Sequence, residues 1–184
     1  MIPAPFKTIL DANVLYPFSL RDTLLRSAEA GLFQVYWSEQ ILEEVRCNLV
    51  GNSVVTHEQA QRLCSKMIEA FPEAMVTGHE VLISAMKNDE KDRHVAAAAM
   101  KAGAEVIVTS NTKHFQDIPE GIEAQSPDEF LCNLFDLEPD LVIGLLEQQA
   151  ADLQKPRRSL EELLTGLAKI VPSFIADVRS HLQR

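Results

Sequence analysis

Thr8-Ile9-Leu10-Asp11-Ala12-Asn13-Val14 sets a carboxylate directly after a short apolar run. The run reads as a buried strand, and an acid at its end has no packing role there. In an open α/β sheet the carboxyl ends of the strands are where ligands bind. A carboxylate in that place suits a divalent cation. It equally suits a loop cap, because Asp and Asn hold turns through bonds to their own backbone.

Working outward, apolar runs alternate with helical patterns. Ser19 is expected to start a helix that Gly31 ends. Residues 33–37 read as a second strand, and Ser38 caps a helix through about Leu49. Thr56 with Gln59 forms a capping box for a third helix ending near Phe71-Pro72. Residues 74–77 read as a strand, Asn88 or Asp89 opens an Ala-rich helix stopped by Gly103, and Val106-Ile107-Val108 is apolar on both faces, as a central parallel strand is. A short fifth strand is expected near residues 122–124. This order predicts an α/β fold with a mostly parallel sheet flanked by helices. From Pro127 onward only helices are expected, over 127–135, 138–153, 159–169 and 172–182.

The bulk composition fits one compact domain with an appendage: 184 residues, 46% hydrophobic. No run of 18 apolar residues occurs, so no transmembrane helix is expected. Met1-Ile2-Pro3-Ala4-Pro5 lacks the basic start and apolar stretch of a signal peptide. Cys47, Cys64 and Cys132 are widely spaced and make no CxxC pattern, which points to reduced thiols and a cytoplasmic protein. The formal net charge of −10 argues against loose electrostatic binding to nucleic acid. Residues 155–184 carry six Lys/Arg against three acids, whereas residues 1–154 carry 11 basic and 24 acidic residues. An acidic body with a mildly basic tail can still act on a polyanion if metal ions bridge the two, and it can also attract a basic protein partner.

Four segments carry candidate site residues. Asp11 ends the first strand. In the second helix Ile41, Leu42, Val45 and Leu49 form the apolar stripe. At about 100° per residue Glu44 falls nearer the stripe's edge than Glu43. Glu44 is therefore expected to lean over the sheet end, and Glu43 to face water. Asp89 reads as a helix cap. Asp92 precedes Val95, Ala96 and Ala99 by helical spacings and so sits on the buried face, where a carboxylate wants a partner or a metal. Thr109-Ser110-Asn111 ends the 106–108 strand, and its side chains are expected in the same cleft. Carboxylates converging there repel one another unless a cation lies between them. Oxygen-only ligands select Mg²⁺ or Mn²⁺.

With these pieces in order, the chain resembles the PIN-domain nucleases, most closely the VapC-type toxins of toxin–antitoxin pairs. The carrying segments are Ile9-Leu10-Asp11-Ala12-Asn13-Val14-Leu15, residues 37–45, residues 89–99 and residues 106–115. The resemblance covers most of residues 7–130. It implies a PIN-like nuclease domain over 1–130 and a C-terminal helical extension over 131–184. It also implies Mg²⁺- or Mn²⁺-dependent cleavage of RNA, an antitoxin partner and a homodimer. By the same resemblance Asp11, Glu44 and Asp92 are the acidic ligands, Asn13 supports the site, and Asn111 falls where many members carry a fourth acid and others Asn. His114 stands where a further Asp often precedes Phe.

Other readings stay beside this one. An aspartyl-nucleophile phosphatase needs a second Asp two residues on, and Asn13 occupies that place. A catalytically weak or inactive PIN-like scaffold that binds protein or RNA fits the neutral Asn111 and His114. Arg21 and Asp22 read as an exposed helical pair, Arg93 and His94 as a solvated helix start, and Lys155, Arg157 and Arg158 as a solvated linker. Trp37 and Phe115 read as core.

Overall fold

The computed structural model describes residues 6–183. Met1–Pro5 and Arg184, on which the signal-peptide reading and part of the basic tail rest, lie outside the described residues. Two compact units are present: residues 1–16 with 33–125, and residues 17–32 with 126–184.

The first unit is built on a five-stranded sheet in the order β3-β2-β1-β4-β5, with every pair parallel. The strands are β1 (Lys7–Leu10), β2 (Gln34–Ser38), β3 (Met75–Val76), β4 (Val106–Val108) and β5 (Glu123–Gln125). β1 is central: Ile9 pairs with Tyr36 of β2 on one side and Ile107 of β4 on the other. After β1 the chain goes to one side for β2 and β3, then crosses for β4 and β5. The strand order therefore reverses between β1 and β4, and the crevice at their carboxyl ends is the switch point of the sheet.

The α-helices described in this unit are α1 (Ala12–Leu15), α3 (Glu39–Gly51), α4 (His57–Ala70) and α5 (Arg93–Ala102); α2 (Phe18–Glu29) belongs to the second unit. The expected caps form. The Ser38 hydroxyl accepts from the Ile41 N–H at 3.2 Å, and Thr56 and Gln59 complete their capping box. Gly103 ends α5 at φ +66°, a left-handed conformation that a Cβ disfavours. Val95 and Ala96–Ala99 are fully buried, and α5 packs against β1, β2, β3 and β4. Small side chains let that helix approach the sheet closely. Trp37 and Phe115 are core residues, as expected.

The second unit contains α2 (Phe18–Glu29), α6 (Pro127–Leu137), α7 (Pro139–Asp152), α8 (Leu160–Leu167) and α9 (Pro172–Leu182). Leu20, Leu24, Phe130, Leu134, Leu146, Leu164, Leu167 and Phe174 are buried in it. α2 is tied to α7 by polar groups as well. The Thr23 hydroxyl donates to the buried Gln149 Oε1 at 2.8 Å, and Gln149 Nε2 donates to the Ser19 carbonyl at 3.0 Å.

Two expectations need correction here. α2 begins at Phe18 after Pro17, so Ser19 lies within the first turn instead of capping it. Arg21 and Asp22 do not form an exposed pair. Arg21 is buried with its guanidinium over the Phe18 ring, and Asp22 pairs with Arg26 at 3.1 Å.

α9 has no side-chain cap of its own at Val171. Asp128, in the first turn of α6, supplies one from 45 residues away: its carboxylate accepts from the Ser173 N–H at 3.1 Å and the Phe174 N–H at 2.8 Å. Asp128→Ala is therefore expected to cost about 1–2 kcal/mol of stability. Thermal melting should fall by a few degrees (about 2–4 °C per kcal/mol at this size), and an unchanged midpoint would contradict the cap. Among the described residues no helix is long and apolar enough to cross a membrane.

Candidate metal centre

Asp11 follows β1 at the switch point and is 3% exposed. Its two oxygens are divided between two tasks. Oδ1 accepts from the Ala12 N–H at 2.7 Å and so caps α1. Oδ2 accepts from Asn13 Nδ2 and from the Thr109 hydroxyl, both at 2.8 Å. The local cap and the site residue are thus one side chain in two roles.

Thr109 and Asn13 bind the ends of β1 and β4 together. The Thr109 hydroxyl also accepts from Asn13 Nδ2 and from the Asn111 N–H, each at 3.1 Å. Asn13 Oδ1 accepts from the Ser110 N–H at 2.9 Å. Asn111 enters this network through its backbone; its side chain is exposed.

Burial pushes the Asp11 carboxyl up to about 6, and the charges of Asp92 and Glu44 push in the same direction against the hydrogen bonds from Thr109 and Ala12. The two more distant acids are therefore close enough to act on it electrostatically. Among the described residues every hydrogen-bond partner of Asp11 is neutral. A buried carboxylate in the electrostatic field of two others, with neutral hydrogen-bond partners, is a donor set that fits a hard divalent cation.

Glu44 and Glu43 part as the helical spacing predicts. Glu43 is exposed and takes two bonds from the Arg46 guanidinium, which lowers its carboxyl below the usual range. Glu44 is partly covered, with Oε1 2.9 Å from Nε2 of His94. The expected solvated position of His94 is not found: its ring is 3% exposed, on the face of α5 that meets the core. The contact is close but poorly aligned, and neither ring nitrogen has a hydrogen-bond partner among the described residues.

Asp92 closes a short 3₁₀ turn, Glu90–Asp92, immediately before α5, and its Oδ2 lies 2.8 Å from His114 Nδ1. Asp89 caps this turn through the Lys91 N–H at 3.1 Å; the Ala-rich helix it is expected to cap begins only at Arg93, after the turn. Asp89, Asp92 and His114 also present ligand atoms that all lie within 4.8 Å of one another. Of these only Asp92 stands among the acids picked from the sequence. The backbone explains the convergence: the Asp89 N–H donates to the His114 carbonyl at 3.1 Å, which binds the 3₁₀ turn Thr112–Phe115 to the start of α5.

Residues 7–113 match the family model described as PIN domain, more than half of the chain. The chain belongs to the PIN domain family. The parallel sheet flanked by helices is the fold expected of a PIN domain, and the acids at its switch point fall inside the matched region. Residues 127–180 match a second model, the VapC50 C-terminal domain. A Mycobacterium tuberculosis protein named "Putative ribonuclease VapC50" is 40% identical over 109 residues, 58% of this chain and 64% of the relative. The match thus spans less than two thirds of that relative's length. No solved structure matches the chain.

Proposed function

We propose that the chain is a divalent-metal-dependent endoribonuclease of the VapC type. The observation that carries this reading is Asp11: buried at the sheet's switch point, held by neutral donors, and raised to about 6 in the company of Asp92 and Glu44. A carboxylate in such a place is costly unless a cation shares it. Asp11, Glu44 and Asp92 would hold the ion, Mg²⁺ or Mn²⁺, with Asn13 and Thr109 as supports. Asn111 steadies Thr109 through its backbone N–H.

When bound, the ion supplies positive charge against the phosphodiester and lowers the pKa of an attacking water. The chain's own residues fix the geometry. Asn13 and Thr109 set the plane of the Asp11 carboxylate, and His114 braces Asp92. Supporting hydrogen bonds of this kind are worth about 10–100-fold in metal affinity. Thr109→Val is therefore expected to weaken Mn²⁺ binding by about that factor in calorimetric titration. Unchanged affinity would remove Thr109 from the centre.

The substrate class is RNA, and the acidic body suits a small antitoxin with a basic segment, in the cytoplasm, with a homodimer as the expected assembly. Incubating the chain with transfer and ribosomal RNA tests the activity. Cleavage in Mn²⁺ or Mg²⁺ that stops with chelator and leaves 5′-phosphate and 3′-hydroxyl ends is expected. No metal-dependent cleavage of any of these RNAs would overturn the reading and leave a PIN-like binding scaffold.

A further inference from the structure

The polar face of α3 does not stop at Glu44. Asn48 follows it one turn later on the same face, and Asn52 is the residue that ends the helix. Opposite them α1 presents Asn13, and Tyr16 follows one turn later. These four residues, Asn13, Tyr16, Asn48 and Asn52, line an open cleft of about 190 Å³.

The cleft begins at the carboxylate centre, because Asn13 Nδ2 is bonded to Asp11 Oδ2. Its chemistry differs from that centre: three amides and a phenol ring, with no charged group in the lining. Its volume is below the about 300–1,000 Å³ of pockets for whole drug-sized ligands, and so suits one planar ring rather than a nucleotide. The Asn13 amide is already engaged with Asp11, Thr109 and the Ser110 N–H, so Asn48 and Asn52 are the amides that offer donor and acceptor side by side, the pattern that matches the edge of a base. An aromatic ring supplies a stacking surface for an unpaired base. Asn48 and Asn52 are exposed, and Tyr16 is half-buried, so an incoming ring can reach them. In a chain of net charge −10, backbone attraction is weak, and uncharged contacts must carry more of the recognition.

We propose that the cleft between α1 and α3 is a subsite for one unpaired nucleobase of the RNA substrate, beside the phosphodiester held at Asp11. The assignment rests on the ribonuclease reading, and its test keeps the two apart. The isotope-labelled full chain is titrated with the four ribonucleoside 5′-monophosphates and with ribose 5-phosphate, which has no base. The side-chain amide signals of Asn48 and Asn52 are expected to shift with at least one nucleotide and not with the sugar phosphate. Signals that stay still with all four nucleotides, or move equally with ribose 5-phosphate, overturn the subsite even if the chain cuts RNA. Shifts without any cleavage uphold the subsite and overturn the nuclease. A second measurement uses cleavage of a randomised single-stranded RNA pool in Mn²⁺. The native chain is expected to favour a base at one position beside the cut, and Asn48→Ala with Asn52→Ala to flatten that preference by about tenfold. An identical cut-site profile in the double variant overturns the proposal.

Discussion

Asp11→Asn is expected to lower Mn²⁺-supported RNA cleavage by about a hundred-fold or more, the scale of removing one preorganised electrostatic group from an active centre. The substitution keeps an oxygen for the Ala12 N–H, so the cap of α1 survives. It removes a charge buried at the switch point, and it sets an amide N–H₂ among the donors Asn13 and Thr109. The fold should therefore persist while the site loses both its charge and its aligned network. Asp92→Asn and Glu44→Gln should fall in the same direction. Glu43→Gln is the control, since its carboxyl is exposed and tied to Arg46. Equal loss in Glu43→Gln and Glu44→Gln would mean that helix α3, not the Glu44 carboxylate, was the sensitive element.

The second large effect concerns stability and pH. The Asp11 carboxyl titrates near its ordinary 3.8 when the chain is unfolded and at about 6 when folded. Between those values the folded protein keeps a proton that the unfolded chain has released. Stability of the metal-free protein therefore falls as pH rises across that window and levels off above it. A shift of about two units corresponds to about 3 kcal/mol. A divalent ion binds the ionised carboxylate and so opposes this loss. At about a hundred times its dissociation constant it returns about 2.7 kcal/mol. Mn²⁺ is thus expected to raise the melting temperature by about 5–10 °C at about pH 7.5. At about pH 5 the proton competes for the same oxygen and the rise should be much smaller. An equal shift at both pH values would separate the ion from Asp11, as would a full shift in Asp11→Asn.

The elements legible in the sequence are those with a local physical cause. β1 and β4 stand out as apolar runs ending in polar side chains, and α4 announces itself by its Thr56–Gln59 capping box. Helical spacing separated Glu44 from Glu43 for the same reason: direction on a helix follows from the residue number. α1 is four residues long, and the 3₁₀ turns at Glu80–Ala85 and Thr112–Phe115 are too short to show a period. The grouping of α2 with the C-terminal helices joins segments far apart in the chain: Thr23 and its partner Gln149 are 126 residues apart. His94 and Arg21 read as solvated because charged and imidazole side chains usually are, whereas in the fold they are 3% and 7% exposed. Asp89 was legible as a cap, but its approach to His114 exists only because the two backbones are hydrogen-bonded.

In the proposed centre Asp11, Glu44 and Asp92 share a divalent ion. Crystals grown in Mn²⁺ and measured for its anomalous scattering locate that ion. A manganese peak is expected at the carboxyl ends of β1 and β4, within direct or single-water reach of all three carboxylates. Manganese bound only at Asp89, Asp92 and His114, or none at the Asp11 carboxylate at saturating Mn²⁺, would contradict it.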